Sequence, residues 1–203
     1  MIEVEAEGAL RIVTLDRPDK ANALTREMLA ALADTVERVA ADRSVKALIL
    51  TGRGKVFSAG ADLEEARAGL ATDPVWERLS GAISDAPILT IAALNGTAAG
   101  GALGMVLAAD LRIAVPSAKI FYPVMKLGFL PQPSDPVRLA DLVGPARAKL
   151  VLMGGAKVPA EEALAMGLID RIADDALAEA KTVTADAISA DRVHVEAIKD
   201  MIG

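Results

Sequence analysis

"KVFSAGADLEE", Lys55 to Glu65, follows directly on the apolar run "KALILTG", Lys46 to Gly52. That run is too short for a helix and bounded by glycine, so it reads as a strand covered on both faces. After it come serine, alanine, glycine, alanine and a carboxylate. A plain turn needs one glycine or one aspartate, whereas these side chains stay so small that a ligand could lie against the main chain. The backbone itself is therefore the first candidate for the working part. The design repeats: "PILTIAALNG", Pro87 to Gly96, is a second buried strand, followed by a glycine-bearing turn and an apolar helix in "AAGGALGMVLAAD", and "LRIAV", Leu111 to Val115, is a third strand. Strand, helix, strand, helix, strand is βαβ architecture, which places the protein in the α/β class.

Working outward, Ile2 and Val4, then Leu10 and Ile12, alternate with polar neighbours around Gly8, the pattern of a hairpin of two half-buried strands. Thr25 is placed to cap a helix in which Leu29, Leu32, Val36 and Val39 recur at spacings of three and four. Beyond Lys126, "GFLPQPSDPVRL" carries Pro131, Pro133 and Pro136, which forbid a continuous helix and predict a rigid surface loop. Helices resume at about Asp135 and again after Gly144-Pro145. Pro159 suits a first helical turn, and Gly167 closes the helix "AEEALAM" before a short strand in "LIDRI". From about Asp174 the alanine-rich, charged remainder predicts two helices. With no repeat, low-complexity tract or linker, one domain is expected, with a core over residues 1–170 and a helical segment over 171–203.

Composition narrows the function classes. A chain of 203 residues buries roughly 70% of the surface it exposes when unfolded. Hydrophobic residues make up 53% of it but aromatic residues only 2%, so the core is built from Ala, Val, Leu, Ile and Met with closely approaching elements. The net charge of −6, without a Lys or Arg run, argues against nucleic acid as a partner. The absence of cysteine excludes disulfides, thiolate metal sites and a cysteine nucleophile. The amino terminus is acidic where a signal peptide is basic, and no apolar run reaches the ~18 residues of a membrane span, so a cytoplasmic protein with no membrane partner is expected.

In both "FSAGADL" and "NGTAAGGALG", a buried strand ends, small residues follow, and a helix begins whose first N–H groups have no intrahelical acceptor. Two such donors aimed at one point, with the positive end of a helix dipole at Gly100 to Ala102, would stabilise a negative oxygen. In this order and spacing, together with "LDRPDKANAL", "AADLRIA" and "AEEALAMGLIDRI", the two segments resemble the signature of the enoyl-CoA hydratase/isomerase, or crotonase, superfamily across nearly the whole chain. The resemblance implies a crotonase-like (ββα)n spiral core with a helical C-terminal region, here shorter than in relatives. It also implies an acyl-CoA thioester as substrate, with coenzyme A as part of that substrate and no separate cofactor or metal, and a homotrimer or dimer of trimers.

Carried over by position, the resemblance makes the backbone N–H groups of Ala61 and Gly101 the oxyanion hole, flanked by Ser58, Ala59, Gly60, Asp62, Leu63 and Gly100. It sets the adenine end of CoA against Asn22, Ala23 and Leu24 and the Ser58–Ala61 edge, with Arg17 or Lys20 as phosphate contacts or ordinary surface charge. Asp62, Asn95 and Asp110 suit structural roles at turns and caps.

Hydratases of this family use two glutamates. Ungapped alignment puts Gly104 at the first position and Val124 at the second, and neither side chain can transfer a proton. General acid–base catalysis is worth ~10²–10⁴ in rate, so two-glutamate hydration is expected to be lost. Isomerase- or decarboxylase-type chemistry through a thioester enolate remains, with Tyr122 and Gln132 as polar candidates. For Glu64, Glu65 and Asp135 a solvated side chain or a buried hydrogen bond is the favoured reading, and His194 is expected on the surface. The competing reading is a silent acyl-CoA-binding or scaffold subunit. An NAD-dependent oxidoreductase fails because "GTAAGG" lacks the G-x-G-x-x-G spacing.

Overall fold

The computed structural model describes residues 1–202. Strands β1 (Ile2–Glu7) and β2 (Leu10–Leu15) form an antiparallel hairpin, followed by helix α1 (Arg26–Ala41). Then come β3 (Ala47–Gly52), β4 (Val56–Ser58), α2 (Leu63–Arg67), α3 (Val75–Ser84), β5 (Leu89–Leu94), β6 (Thr97–Ala99), α4 (Leu103–Ala108), β7 (Leu111–Ala114) and β8 (Lys119–Phe121). The remainder is α5 (Val124–Leu127), α6 (Asp135–Val143), α7 (Pro145–Leu152), β9 (Val158–Pro159), α8 (Ala160–Met166), β10 (Arg171–Ile172), α9 (Ala176–Ser189) and α10 (Arg192–Ile202).

From β3 to β8, successive strands alternate between two sheets. One runs β1-β2-β3-β5-β7-β10, parallel except for the first hairpin, and the other runs β4-β6-β8-β9. Each turn of the chain thus gives one strand to the large sheet, one to the small sheet, and then a helix, which is a ββα spiral. The sequence reading found the long strands but not β4, β6 and β8, each only three residues. The turn from one sheet to the next is tight: a Cβ on Gly96 would stand 2.0 Å from the Lys55 carbonyl oxygen.

The large sheet is covered on both faces. Along β3, Leu48 and Leu50 join the core beneath α1, α3 and α4, while Ala47 and Ile49 join a second cluster that contains Ala176 and Ala180 of α9. The same alternation holds in β5, with Ala92 and Leu94 on one side and Ile91 and Ala93 on the other. Helix α1 follows the sequence reading: Thr25 Oγ1 accepts the Met28 N–H at 3.1 Å, and Leu29, Leu32, Val36 and Val39 are buried. The hairpin departs from it. Only β2 is buried; β1 is the outermost strand of the sheet, and its Val4 is exposed.

Pro159 stands one place earlier than expected, as the extended N-cap of α8, whereas Gly167 ends that helix at φ +82° as anticipated. Strand β10 completes the large sheet just past residue 170. Two helices follow it, as predicted, and buried contacts fix them. The Arg192 guanidinium donates to the carbonyls of Ala40, Asp42 and Val45, and Lys199 Nζ donates to Ile88 O at 3.0 Å and to Asp110 Oδ2 at 2.8 Å. Among the described residues no helix is long and apolar enough to cross a membrane.

Candidate functional site: a cavity between two small-residue turns

The turns after β4 and β6 meet. Gly60, at φ +93°, packs so closely on the second turn that a Cβ there would stand 2.7 Å from Ala99 O and 3.3 Å from the Gly101 nitrogen. Strands β4 and β6 pair in parallel, which brings both turns to the same end of the small sheet. A cavity of about 380 Å³ opens there. Ala59, Ala61, Leu63, Gly100, Gly101, Tyr122, Val124 and Gln132, all singled out from the sequence, stand in its wall, with Ala71, Trp76, Leu127, Phe129 and Leu130 completing much of the rest.

Asn22, Ala23, Leu24, Ser58, Gly60, Asp62 and Gly104 do not line this cavity. Most of them hold its floor in place. Asn22 is fully buried: its Nδ2 donates to Arg53 O at 3.0 Å and Val56 O at 2.8 Å, and its Oδ1 accepts the Arg17 N–H at 2.9 Å. Ser58 Oγ donates to Asn22 O at 2.8 Å and accepts the Gly60 N–H at 3.1 Å. Leu24 bridges to Ala61 through the Leu24 N–H to Gly60 O and the Asp62 N–H to Leu24 O, both at 2.8 Å. The side chains of Asn22, Leu24 and Ser58 are each buried within the protein's own scaffold, which leaves the main chain of these turns as the part that a ligand could meet.

Asp62 caps α2 by accepting the Glu64 N–H at 3.1 Å, as its sequence context suggests. Arg17, read as a phosphate contact or ordinary surface charge, donates to Asp62 Oδ2 at 2.8 Å and to Ala23 O at 3.0 Å. That guanidinium holds the Asp62 carboxyl below the usual carboxylate range. Asn95 ties the strand ends, its Oδ1 accepting the Gly52 N–H at 3.0 Å and its Nδ2 donating to Gly54 O at 2.9 Å. Asp110 accepts from the N–H and hydroxyl of Thr90, so both residues are structural, as read. Glu65 accepts the Arg26 N–H at 2.7 Å at the start of α1, Glu64 is exposed, and neither borders the cavity. His194 is exposed on α10.

Asp135, the first residue of α6, has its side chain wholly buried. Its Oδ2 accepts the Tyr122 hydroxyl at 2.9 Å, while its Oδ1 is buried without a hydrogen-bond partner among the described residues. That orphan oxygen lies 3.3 Å from where a Cβ on Gly104 would stand, so the space beside α4 that a side chain at 104 would enter is filled by a carboxyl from α6. Burial pushes the Asp135 carboxyl up to about 7, and the Glu77 charge adds to this, against the Tyr122 hydrogen bond and Arg138. Burial, with the Asp135 charge, likewise pushes the Tyr122 phenol above its ordinary range. Gln132 completes the cluster: its backbone N–H approaches the Tyr122 oxygen at 3.4 Å, and its Nε2 donates to Ala71 O at 3.0 Å. The one sequence signal for this arrangement is an absence, the missing side chain at 104.

Opposite them, the ring of Trp76 lies on Gly101, where a Cβ would stand 3.0 Å from Cη2, and its Nε1 donates to Leu70 O at 2.8 Å. The cavity thus has a main-chain floor, an aromatic wall, and an apolar lip at Leu127, Phe129 and Leu130, where Leu130 is 87% exposed.

The model of the family described as Enoyl-CoA hydratase/isomerase matches residues 5–202. A Mycobacterium tuberculosis protein described as "Probable enoyl-CoA hydratase EchA14" is 39% identical over 205 residues, covering 98% of this chain and 79% of that one. Among solved structures, Pseudomonas aeruginosa DspI superposes with a TM-score of 0.92 at 34% identity, covering 99% of this chain and 85% of that one. An enoyl-CoA hydratase/isomerase of Pseudoalteromonas atlantica T6c gives 0.92 at 32% identity, covering 99% and 82%. With its two-sheet spiral and these relatives, the chain belongs to the enoyl-CoA hydratase/isomerase, or crotonase, family.

Proposed function

We propose that the protein is an enzyme acting on an acyl-CoA thioester, whose carbonyl oxygen is held by the backbone N–H groups of Ala61 and Gly101, and that its chemistry runs through the thioester enolate. The observation that carries this reading is the meeting of the two turns in one cavity wall. The Ala61 amide donates to no acceptor among the described residues. The Gly101 amide is second in the 3₁₀ turn Gly100–Ala102, where an intrahelical acceptor is lacking. Preorganised donors of this kind stabilise developing negative charge without reorganisation, and removing one costs about 10²–10³ in kcat. Val124, buried and apolar, stands in the wall where the family resemblance sets a second glutamate. With Gly104 at the first position, water activation by paired carboxylates has no pair. Val124, Leu127, Phe129 and Leu130 favour an apolar acyl group.

Calorimetry with CoA and crotonyl-CoA, followed by product analysis with crotonyl-CoA, a 3-enoyl-CoA and malonyl-CoA, tests this reading. Tighter binding of the thioester than of CoA is expected, together with double-bond migration or CO₂ release and little hydration. No thioester binding would overturn the substrate class. A full hydratase rate on crotonyl-CoA would overturn the enolate assignment. Binding without turnover of any ester would instead establish a silent acyl-CoA-binding subunit, the reading that Gly104 and Val124 favour.

A further inference from the structure

The geometry points to Tyr122 and Asp135 as a two-member proton relay, with the Tyr122 hydroxyl exchanging a proton with the substrate α-carbon and Asp135, behind it, taking or returning the second proton. This rests on the thioester reading above. It starts from three observations independent of it. Tyr122 and the Gln132 backbone that approaches its oxygen both belong to the cavity wall. The hydroxyl is bonded at 2.9 Å to a carboxyl that no solvent reaches. The other oxygen of that carboxyl is buried without a partner, against the bare Cα of Gly104. A buried carboxyl oxygen without a partner destabilises the fold. A purely structural tie for Tyr122 needs only a neutral acceptor, such as a carbonyl, so the carboxyl does something a neutral acceptor cannot: it changes its proton number.

The step balances without a co-reactant. The α-C–H bond breaks and its proton bonds to the Tyr122 oxygen. The Tyr122 O–H bond breaks in the same event and its proton bonds to Asp135 Oδ2. The electron pair of the C–H bond becomes the enolate, whose charge rests on the thioester oxygen between the two amides. Reversal returns a proton to the original carbon or to the γ-carbon of an enolate conjugated with a double bond, which moves that double bond. Tyr122 is then the catalytic residue and Asp135 a positioning and proton-storing residue. A carboxyl entering from α6 takes the place of one on α4, and a side chain at 104 would collide with it.

The charged and titratable groups around Asp135 set its pH response. Glu77 on α3 raises its affinity for a proton, Arg138 on its own helix lowers it, and Tyr122 donates to its ionised form; Ser80 on α3 and Gly104 on α4 bring no charge. Abstraction needs the ionised carboxyl, so the rate rises with pH through about 7 and levels above it.

The test is exchange of the C2 protons of acetoacetyl-CoA and butyryl-CoA in D₂O, followed by NMR, for the parent, Asp135→Asn and Tyr122→Phe, with calorimetric binding of each ester alongside. Exchange by the parent that rises through pH 7, a fall of about 10²–10⁴ in both variants with binding retained, and a flat pH profile in Asp135→Asn are expected. Exchange by Asp135→Asn within about threefold of the parent, with the parent's pH profile, overturns the relay while leaving the thioester reading intact. Parent protein that binds the esters without exchanging either also overturns it. Parent protein that binds neither ester overturns the thioester reading instead. Should Asp135→Asn fold poorly, Tyr122→Phe, which removes only an oxygen, decides alone: full exchange activity in it is fatal to the proposal.

Discussion

The floor and the side-chain wall of the cavity are built on opposite plans. The floor, Ala59–Ala61 and Gly100–Gly101, is main chain pinned by Asn22, Ser58 and the Leu24 bridge, and nearly every polar side chain beneath it is satisfied. The wall from Tyr122 to Asp135 carries an exposed apolar lip and a buried acid with an unpaired oxygen. On the reading proposed above, the difference separates duties: the layer proposed to hold an oxygen in a fixed place is rigid and neutral, and the layer proposed to change charge lies beside it and tolerates an energetic penalty.

Breaking the floor should have the largest effect. Gly60→Val places a branched side chain at φ +93°, with its Cβ 2.7 Å from Ala99 O. A strained φ and overpacking together cost roughly 4 kcal/mol, so urea denaturation should show a large loss of stability and any thioester binding should vanish.

The wall responds in the opposite direction. A carboxyl raised from 3.8 to about 7 on folding keeps its proton between those values while the unfolded chain has released it, so its contribution to stability falls as pH rises through that window. Asp135→Asn removes this loss. Relative to the parent, the variant should gain stability on the order of 3 kcal/mol between pH 4 and pH 8, read as a difference in thermal midpoints at each pH. A constant difference across that range would mean that Asp135 is ionised throughout.

Asn22→Ala sharpens the contrast by loosening the floor from below. It leaves the Arg17 N–H and the Arg53 carbonyl without a side-chain partner and the Val56 carbonyl with Asn95 alone, costing about 2 kcal/mol. Turnover per folded molecule should fall as well, because the Ala61 turn loses its support. At the lip, Leu130→Ala should change stability by less than about 0.5 kcal/mol, since the residue is 87% exposed. It should weaken long-chain acyl esters by about tenfold in kcat/KM relative to short ones.

The floor was legible because it is built of main chain, written as small residues directly after apolar runs. The long strands were legible for the same reason: their length, glycine boundaries and continuous apolarity are local. The three-residue strands β4, β6 and β8 are too short for any alternation to register, and the outermost position of β1 depends on which strand lies beyond it. Asn22, Leu24 and Ser58 sit in segments whose small residues suggested room for a ligand, yet bonds from each join segments thirty or more positions apart in the chain. Asp135 was half legible: at a proline-flanked helix start it could be solvated or tied by a buried hydrogen bond, and the packing of α6 against α4 decides for the second.

Trp76 is the protein's only tryptophan, and it lies on Gly101 in the cavity wall. Its indole emission therefore comes from one place, beside the amide expected to receive a ligand's oxygen. A molecule entering that space displaces water from the ring's face, so quenching or a spectral shift in unlabelled protein would report occupancy in real time, and stopped-flow traces would separate ligand arrival from any later chemistry.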